Sequence, residues 1–260
     1  MTNKIEQAAA LLRQASESGR PCAPVRNLIG VTSIADAYAT QEINTKLAIA
    51  AGRRIVGAKI GLTSKAVQSQ LGVDQPDFGI LYADMDVADG VEVEVGRLIQ
   101  AKCEAEIAFV LGRDLELEKL TTAEVVSAVD YALAAIEIVD SRVENWSIKI
   151  TDTIADNASS GLFVLGSKPV KLADIDLVSA GMVMTRNGEQ VSTGAGAACL
   201  GNPLTALRWL AETMTAAGRP LKAGDIILSG ALGPMVTANP GDAFEARIEG
   251  LGSVRALFAK

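Results

Sequence analysis

Apolar residues in the first third of the chain recur near helical spacing. Residues 4–18 carry them at intervals of three and four, which predicts an amphipathic helix. A second helix, opened by a capping box, is predicted over 33–52. The segment "RRIVGAKIGL" (53–62) is typical of a strand, and "SKAVQSQL" (64–71) predicts a short helix. The sequence therefore places one strand after a mainly helical start.

From about residue 85 the pattern changes from helical spacing to strand alternation. The segment "VEVEV" (91–95) alternates strictly, which predicts a strand with one buried face. The runs "AKCEAEIAFVL" (101–111) and "ALAAIEIV" (132–139) are largely apolar, as buried strands are. We therefore expect a second unit built on a sheet.

Helices and turns separate these strands. A helix is predicted from Thr121 to about Ala132, and the pair Asn187 and Gly188 suits the two-residue turn of a hairpin. Many strands of mixed spacing and few helices favour an α+β protein on a curved or barrel-like mixed sheet over a doubly wound fold. We predict a smaller, mainly helical N-terminal region over 1–85 and a β-rich catalytic domain over 86–260.

Composition limits the partners of the chain. It has 260 residues, 49% of them hydrophobic, and a net charge of -7 without a cluster of Lys or Arg, which argues against nucleic-acid binding. No apolar run approaches the ~20 residues of a membrane span, and the N-terminus lacks the apolar core of a signal peptide. We therefore expect a cytoplasmic protein that does not bind membranes.

The chain contains no histidine, which excludes His-ligated zinc, Ser-His-Asp and Cys-His nucleophile systems, and any imidazole base. Cys22, Cys103 and Cys199 are odd in number and far apart, so reduced, buried thiols are expected rather than disulfides. Catalysis must then use carboxylates, lysine, hydroxyl groups, backbone amides or a bound ion.

Carboxylates are the most informative candidates for chemistry. In a strand, Glu104 and Glu106 share one face, where two buried anions need a cation or a proton between them. A strand with one solvated face explains the pair equally well. Glu137, isolated in the apolar run 132–139, favours the site, because three carboxylates without His or Cys form an all-oxygen site suited to Mg²⁺ or Mn²⁺.

Other polar residues leave two interpretations open. Lys59 lies among apolar residues and glycines; it is either an acid/base or substrate-binding group or a surface lysine. Asp74 and Asp77 are either turn residues or catalytic carboxylates, and "ADNASSG" (155–161) suits a helix cap as well as a site. The glycine-rich segment 228–235 offers backbone N–H groups to an anion but has no phosphate-loop pattern.

Several segments together resemble one known family. They are "AKIGLTSKAVQSQLGVDQPDFGIL", "AKCEAEIAFVLGRDL", "AAIEIVDSR", "WSIKITDTIADNASSG", "GAGAACLGNP" and "GDIILSGALGPM". In this order they are similar to the hydratase/decarboxylase family of aromatic meta-cleavage pathways, within the fumarylacetoacetate hydrolase superfamily. The resemblance covers nearly the whole chain, and it implies the fold of that superfamily.

The resemblance also implies roles for six residues. It implies that a divalent ion, Mg²⁺ or Mn²⁺, binds to Glu104, Glu106 and Glu137. It also implies that Lys59 and Asp77 are catalytic and that Ser159 contacts the substrate. One position departs from the family pattern, because members often have Gly-His-Pro where this chain has Gly-Asn202-Pro. A catalytic role for that histidine would be lost here, although Asn remains a good helix cap.

The implied activity is hydration of 2-hydroxypenta-2,4-dienoate (2-oxopent-4-enoate) to 4-hydroxy-2-oxopentanoate. Decarboxylation of 4-oxalocrotonate is the alternative within the family, and a non-catalytic metal-binding subunit is the alternative outside enzymes. The loops "QLGVDQPDFG" and "SGALGPM" look more like the hydratase versions. A small 2-oxo acid substrate, assembly into a homo-oligomer and association with other enzymes of the pathway are further expectations.

Overall fold

The computed structural model describes residues 3–64, 68, 73, 75–94 and 96–260. The helix predicted over 64–71 falls largely outside these residues, as does Asp74. The described helices are α1 (Lys4–Ser18), α2 (Arg26–Ile29), α3 (Ile34–Ala50), α4 (Thr122–Ala128), α5 (Ile150–Ala155) and α6 (Pro203–Ala216). None of them is long and apolar enough to cross a membrane.

The two helices predicted before residue 53 are confirmed as α1 and α3. The side chain of Asn3 caps α1, but Ser33 makes no capping hydrogen bond, so the capping box expected at α3 does not form. Helix α1 packs against α3, and α3 packs against α5, around apolar residues that include Ala8, Leu12 and Ile154. Burial of these apolar faces holds the helical layer together.

The larger sheet carries the candidate residues. Its eight strands are β1 (Ile55–Gly61), β2 (Asp77–Tyr82), β3 (Asp86–Ala88), β5 (Ala101–Leu111), β6 (Val129–Asp140), β7 (Ser160–Leu165), β10 (Ile226–Leu228) and β11 (Val236–Thr237). They follow the order β2-β1-β10-β5-β6-β7-β3, and β11 pairs with β5. β1 pairs in parallel with β10 and antiparallel with β2, so the sheet is mixed.

A second sheet of five strands covers the larger one. Its strands are β4 (Glu92–Val93), β8 (Gly181–Arg186), β9 (Glu189–Ala195), β12 (Ala243–Ile248) and β13 (Gly252–Phe258), in the order β4-β13-β12-β8-β9. The two sheets share one apolar core that includes Phe109, Ile136 and Phe244. The expected hairpin is confirmed, since Asn187 (φ 55°) and Gly188 (φ 85°) form the turn between β8 and β9.

Tertiary pairing changed two predicted boundaries. The helix expected to reach Ala132 ends at Ala128, because Val129 to Ala132 pair with β5 instead. Among the described residues 91–94 of the alternating segment, only Glu92–Val93 form a strand, beside β13. At the end of α4 a neighbouring strand thus overrides the local helical preference.

The α+β class and the curved mixed sheet with a helical N-terminal region are confirmed. The strands β1 and β2 lie before residue 85 yet belong to the larger sheet, next to β10 and β5. The division into units 1–85 and 86–260 stays a prediction. This arrangement brings Lys59 on β1 and Asp77 on β2 toward the strands that carry the three glutamates.

Candidate active site

The side chains of Glu104, Glu106 and Glu137 form a carboxylate cluster. Glu104 on β5 is the direct cross-strand partner of Glu137 on β6, and Glu106 is two residues further along the same face. One carboxylate oxygen from each lies within 4.8 Å of the others. Glu106 and Glu137 are fully buried and Glu104 is half-buried, so the interpretation as a solvated strand face is wrong.

The described protein groups do not fully balance the negative charge of the carboxylate cluster. Burial, followed by the charge of Glu137, raises the pKa of Glu104 to about 7 and that of Glu106 well above its ordinary value. Glu106 Oε2 accepts a hydrogen bond of 2.7 Å from the Gly230 N–H. Among the described residues, Glu106 Oε1 and Glu137 Oε2 have no partner, and Glu137 Oε1 is contacted by the Lys59 ammonium. Three converging oxygens with free lone pairs fit a hard divalent cation such as Mg²⁺ or Mn²⁺.

Lys59 supplies one positive charge to the cluster. Its Nζ lies 3.0 Å from Glu137 Oε1, and 4% of its side chain is exposed, so the interpretation as a surface lysine is wrong. Burial disfavours the ammonium, but the surrounding carboxylates, Glu137 foremost, outweigh it and raise the pKa of Lys59. The carboxylates around Lys59 therefore favour its ammonium form, which can donate a proton.

Asp77 begins β2 and is fully buried, so it is not a turn residue. It lies directly opposite Gly61, where a Cβ atom would come within 2.1 Å of Asp77 Oδ1. Gly61 thus leaves the space that this carboxylate occupies. Burial raises the pKa of Asp77 to about 6, while Lys59 and, more weakly, the Thr153 hydroxyl lower it. Within the described part of the chain, neither Asp77 oxygen has a hydrogen-bond partner with good geometry.

Ser159 ends a short 3₁₀ segment, Asn157–Ser159, whose three residues all have left-handed backbone angles, with φ between 51° and 55°. Such angles are costly for residues other than glycine and often mark functional sites. The Asn157 side chain fixes the segment by bonding both the N–H and the carbonyl of Ile80 on β2. The Ser159 hydroxyl is buried and has no hydrogen-bond partner among the residues that the structure describes.

Arg142 fixes both ends of this segment. Its guanidinium donates to the Asp156 carboxylate at 2.5 Å and to the Ser160 carbonyl at 2.8 Å. The segment 155–161 is therefore an ordered wall beside β2, and its Asp156 is an ion-pair partner rather than a candidate acid. The structure brings Lys59 and Asp77 to the carboxylate cluster, and it places Ser159 on the segment that packs against the strand of Asp77.

Gly230 and Cys199 also contribute to the site. The sequence indicated the glycine-rich segment that contains Gly230, but it did not indicate a role for Cys199. The glycine-rich segment 228–235 was expected to offer N–H groups to an anion, and the anion is the protein's own Glu106. Gly230 has φ 96°, and a Cβ atom there would lie 2.3 Å from Thr63 Oγ1. The Cys199 thiol donates to the Gly230 carbonyl at 3.0 Å, so it contacts the same residue whose N–H orients Glu106, through the following peptide group.

Asn202, the departure from the family pattern, caps a helix. Its side chain accepts a hydrogen bond of 2.9 Å from the Leu204 N–H at the start of α6, and Pro203 occupies the first helical position. This is the role predicted for an asparagine at this place. Asn202 is thus accounted for structurally.

The mixed curved sheet, with a buried carboxylate cluster and a lysine beside it, is the combination that identifies the class of protein to which the chain belongs. The chain belongs to the fumarylacetoacetate hydrolase family, since residues 54–259 match the family model for the fumarylacetoacetate (FAA) hydrolase C-terminal region. The resemblance found in the sequence motifs is confirmed.

The chain is similar to curated enzymes over its whole length. It is 60% identical over 262 residues to "2-keto-4-pentenoate hydratase 2" of Dechloromonas aromatica, covering 100% of both chains. It is also 60% identical to "TodF product hydratase" of Pseudomonas putida, covering 100% of this chain and 97% of that one. Among solved structures, "4-oxalocrotonate decarboxylase from Pseudomonas putida G7 - complexed with magnesium and adipate" matches with a TM-score of 0.91, 38% identity and 97% coverage of both chains. The full-length identities favour the hydratase over the decarboxylase.

Proposed function

We propose that this chain is a metal-dependent hydro-lyase of aromatic meta-cleavage catabolism that adds water to 2-hydroxypenta-2,4-dienoate and yields 4-hydroxy-2-oxopentanoate. The observation that carries the proposal is the buried cluster of Glu104, Glu106 and Glu137 with Lys59 in ion-pair contact. It occurs in a chain that is 60% identical over its full length to a 2-keto-4-pentenoate hydratase.

Glu104, Glu106 and Glu137 would hold the divalent ion, Mg²⁺ or Mn²⁺. The fit rests on the oxygen-only donor set and on Glu106 Oε1 and Glu137 Oε2, which have no partner among the described residues. When bound, such an ion supplies Lewis acidity that polarises the 2-oxo group of the substrate. A magnesium complex of the decarboxylase, 38% identical to this chain, supports the assignment.

Lys59 and Asp77 are the groups available to move protons. The dienol becomes the conjugated 2-oxo-3-enoate when its C2 hydroxyl loses a proton and C5 gains one; hydroxide from water then adds at C4 and a proton at C3. In this scheme the Asp77 carboxylate accepts protons and the Lys59 ammonium donates them. The Ser159 hydroxyl, buried and without a partner, would position the substrate.

The deciding experiment compares two substrates on the purified chain with Mg²⁺ or Mn²⁺. Loss of 2-hydroxypenta-2,4-dienoate with gain of one water in the product supports the hydratase. Release of CO₂ from 4-oxalocrotonate at a higher kcat/KM would replace it with the decarboxylase. A bound ion without turnover of either acid would indicate the non-catalytic subunit. Full activity of metal-stripped Glu106→Gln would remove the metal from the mechanism.

We further propose that the chain acts in the cytoplasm as a homo-oligomer that associates with other enzymes of its pathway. The resemblance to a family whose members tend to form homo-oligomers supports the proposed assembly. Size-exclusion chromatography with light scattering tests the oligomer, and a monomer at micromolar concentration would contradict it. Co-purification with the neighbouring enzymes of the pathway tests the association.

A further inference from the structure

Lys102 lies on the same face of β5 as Glu104 and Glu106, because side chains two residues apart in a strand point the same way. Burial increases along this face: Lys102 and Glu104 are half-buried, and Glu106 is fully buried. The carboxylate cluster is therefore most accessible to solvent at its Lys102 end. A substrate that reaches the cluster from this end passes the lysine.

The side chain of Lys102 is held in place by an aromatic ring rather than by an anion. Its Nζ lies 4.3 Å from the centroid of the Trp146 ring, a cation–π contact. Trp146 is itself fixed, since its Nε1 donates to the Gln100 carbonyl at 2.9 Å. Within the described part of the chain, the Lys102 ammonium has neither an ion pair nor a hydrogen bond. Its three N–H donors are thus free for a ligand.

With a divalent ion bound, the site keeps a net negative charge unless a second cation from the protein lies nearby. With a divalent ion bound and all four carboxyl groups ionised, the four negative charges of Glu104, Glu106, Glu137 and Asp77 face three positive charges, one from Lys59 and two from the ion. One negative charge remains before an anionic substrate enters. Lys102 is the cation next to Glu104 on this face, and its charge balances the remaining one. An organic acid then meets a neutral site instead of a repulsive one.

We propose that Lys102, held over Trp146, binds the carboxylate of the 2-oxo acid substrate at the entrance to the carboxylate cluster. The inference deepens the proposed function and rests on it for the identity of the substrate. Lys102 thus determines affinity for an organic acid, whereas Lys59 serves the reacting atoms. A purely structural lysine that covers Trp146 would have no effect on substrate charge recognition.

The test uses the full chain loaded with Mn²⁺ and pyruvate, a simple 2-oxo acid, as the probe. Isothermal titration calorimetry measures pyruvate binding to wild type, Lys102→Gln and Lys102→Arg. Because a hydrogen bond to a charged group is lost, we expect Lys102→Gln to bind pyruvate roughly 10-fold or more weakly, and Lys102→Arg to recover most of the affinity. For hydration, KM should rise by a similar factor while kcat changes by less than about 3-fold.

Mn²⁺ binding without pyruvate distinguishes a role of Lys102 in substrate binding from a purely structural role. Removal of a positive charge beside Glu104 should leave the affinity of Lys102→Gln for Mn²⁺ unchanged or tighter, opposite in direction to the loss for pyruvate. Lys171→Gln is the matched control, because Lys171 is an exposed lysine paired with Asp130, outside the site. It should change neither affinity.

Two results would overturn the inference. Pyruvate affinity in Lys102→Gln equal to that of wild type removes Lys102 from substrate binding. An equal loss of Mn²⁺ and pyruvate affinity assigns it a structural role. Failure of the proposed function is recognised separately, since a wild-type chain that binds Mn²⁺ and pyruvate but hydrates no dienoate leaves the pyruvate comparison valid.

Discussion

Glu104 and Glu137 are direct partners across the β5–β6 pair, with their carboxylates on one face of the sheet. Like charges opposite each other in an antiparallel pair are destabilising, and burial increases the effect. The strand register thus places an unfavourable pair where Lys59 and Asp77 also converge. A bound cation turns this repulsion into a binding site.

Glu104→Gln should be more stable than wild type without metal but should gain little stability when metal is added. Without metal, the substitution relieves repulsion and should raise Tm by roughly 1–4 °C. Magnesium at about 100 times its Kd stabilises a binding-competent chain by about 2.7 kcal/mol, and this gain should largely vanish in Glu104→Gln. Differential scanning calorimetry with EDTA or Mg²⁺ measures both, with exposed Glu118→Gln as control. An equal Mg²⁺ stabilisation of variant and wild type would contradict the ligand assignment of Glu104.

Lys59→Met should lower kcat by roughly 100-fold or more, because it removes a proton donor from the reacting atoms. Binding of Mn²⁺ should persist or tighten, since the carboxylate cluster loses its competing ammonium. Steady-state hydration kinetics and Mn²⁺ titration measure the two effects. An unchanged kcat would take Lys59 out of the proton path, and a loss of folding would show in the far-UV circular dichroism of the same sample.

Gly61→Ala should reduce activity through Asp77. The added Cβ would come within 2.1 Å of Asp77 Oδ1, so the carboxylate must move. We expect kcat to fall roughly 100-fold, as a misplacement of about 1 Å does at other sites. Gly181→Ala is the control, because its Cβ would meet only Glu249 Oε2 at 3.7 Å, an ordinary contact. Wild-type kcat in Gly61→Ala would show that the position of Asp77 is not critical.

The three thiols should be unreactive in the native chain near pH 8. Burial, then Asp156, raises the pKa of half-buried Cys22 to about 11; burial, then Glu106, raises that of Cys199 to about 12. Burial also raises the pKa of Cys103. Because the thiolate is the reactive form, Ellman's reagent should react slowly with the native chain and rapidly with all three thiols in denaturant. Fast reaction of one native thiol would contradict the burial of these groups.

Asn202→Ala should cost about 1 kcal/mol of stability, the usual contribution of a helix cap, with little change in kcat. Asn202→Asp should retain stability, because Asp also accepts from the Leu204 N–H. Chemical denaturation and hydration kinetics on the same samples provide the measurements. A large fall in kcat for Asn202→Ala with unchanged stability would assign this position to catalysis rather than to capping.

Sequence patterns were sufficient to predict the helices α1 and α3, the buried strands β5 and β6, and the hairpin at Asn187 and Gly188. Period and turn chemistry are local properties, so single segments express them. The C-terminal limit of α4 was wrong, because pairing with β5 is not visible in the segment itself. The sequence indicated the candidate residues because they are polar residues in apolar segments. Whether Glu106, Lys59 and Asp77 are buried, or lie on the surface or in a turn, could be decided only from the structure.

The sequence by itself determined the chemistry available to this protein: no imidazole, three carboxylates in apolar strands, a lysine between glycines, and the motifs of the family. The tertiary structure alone decided the register of Glu104 with Glu137, the ion pair of Lys59, the space that Gly61 leaves for Asp77, and the Gly230 amide that orients Glu106. The physical reason is that residue type and periodicity are local, whereas these contacts join strands far apart in the chain and depend on how the whole sheet pairs and excludes water.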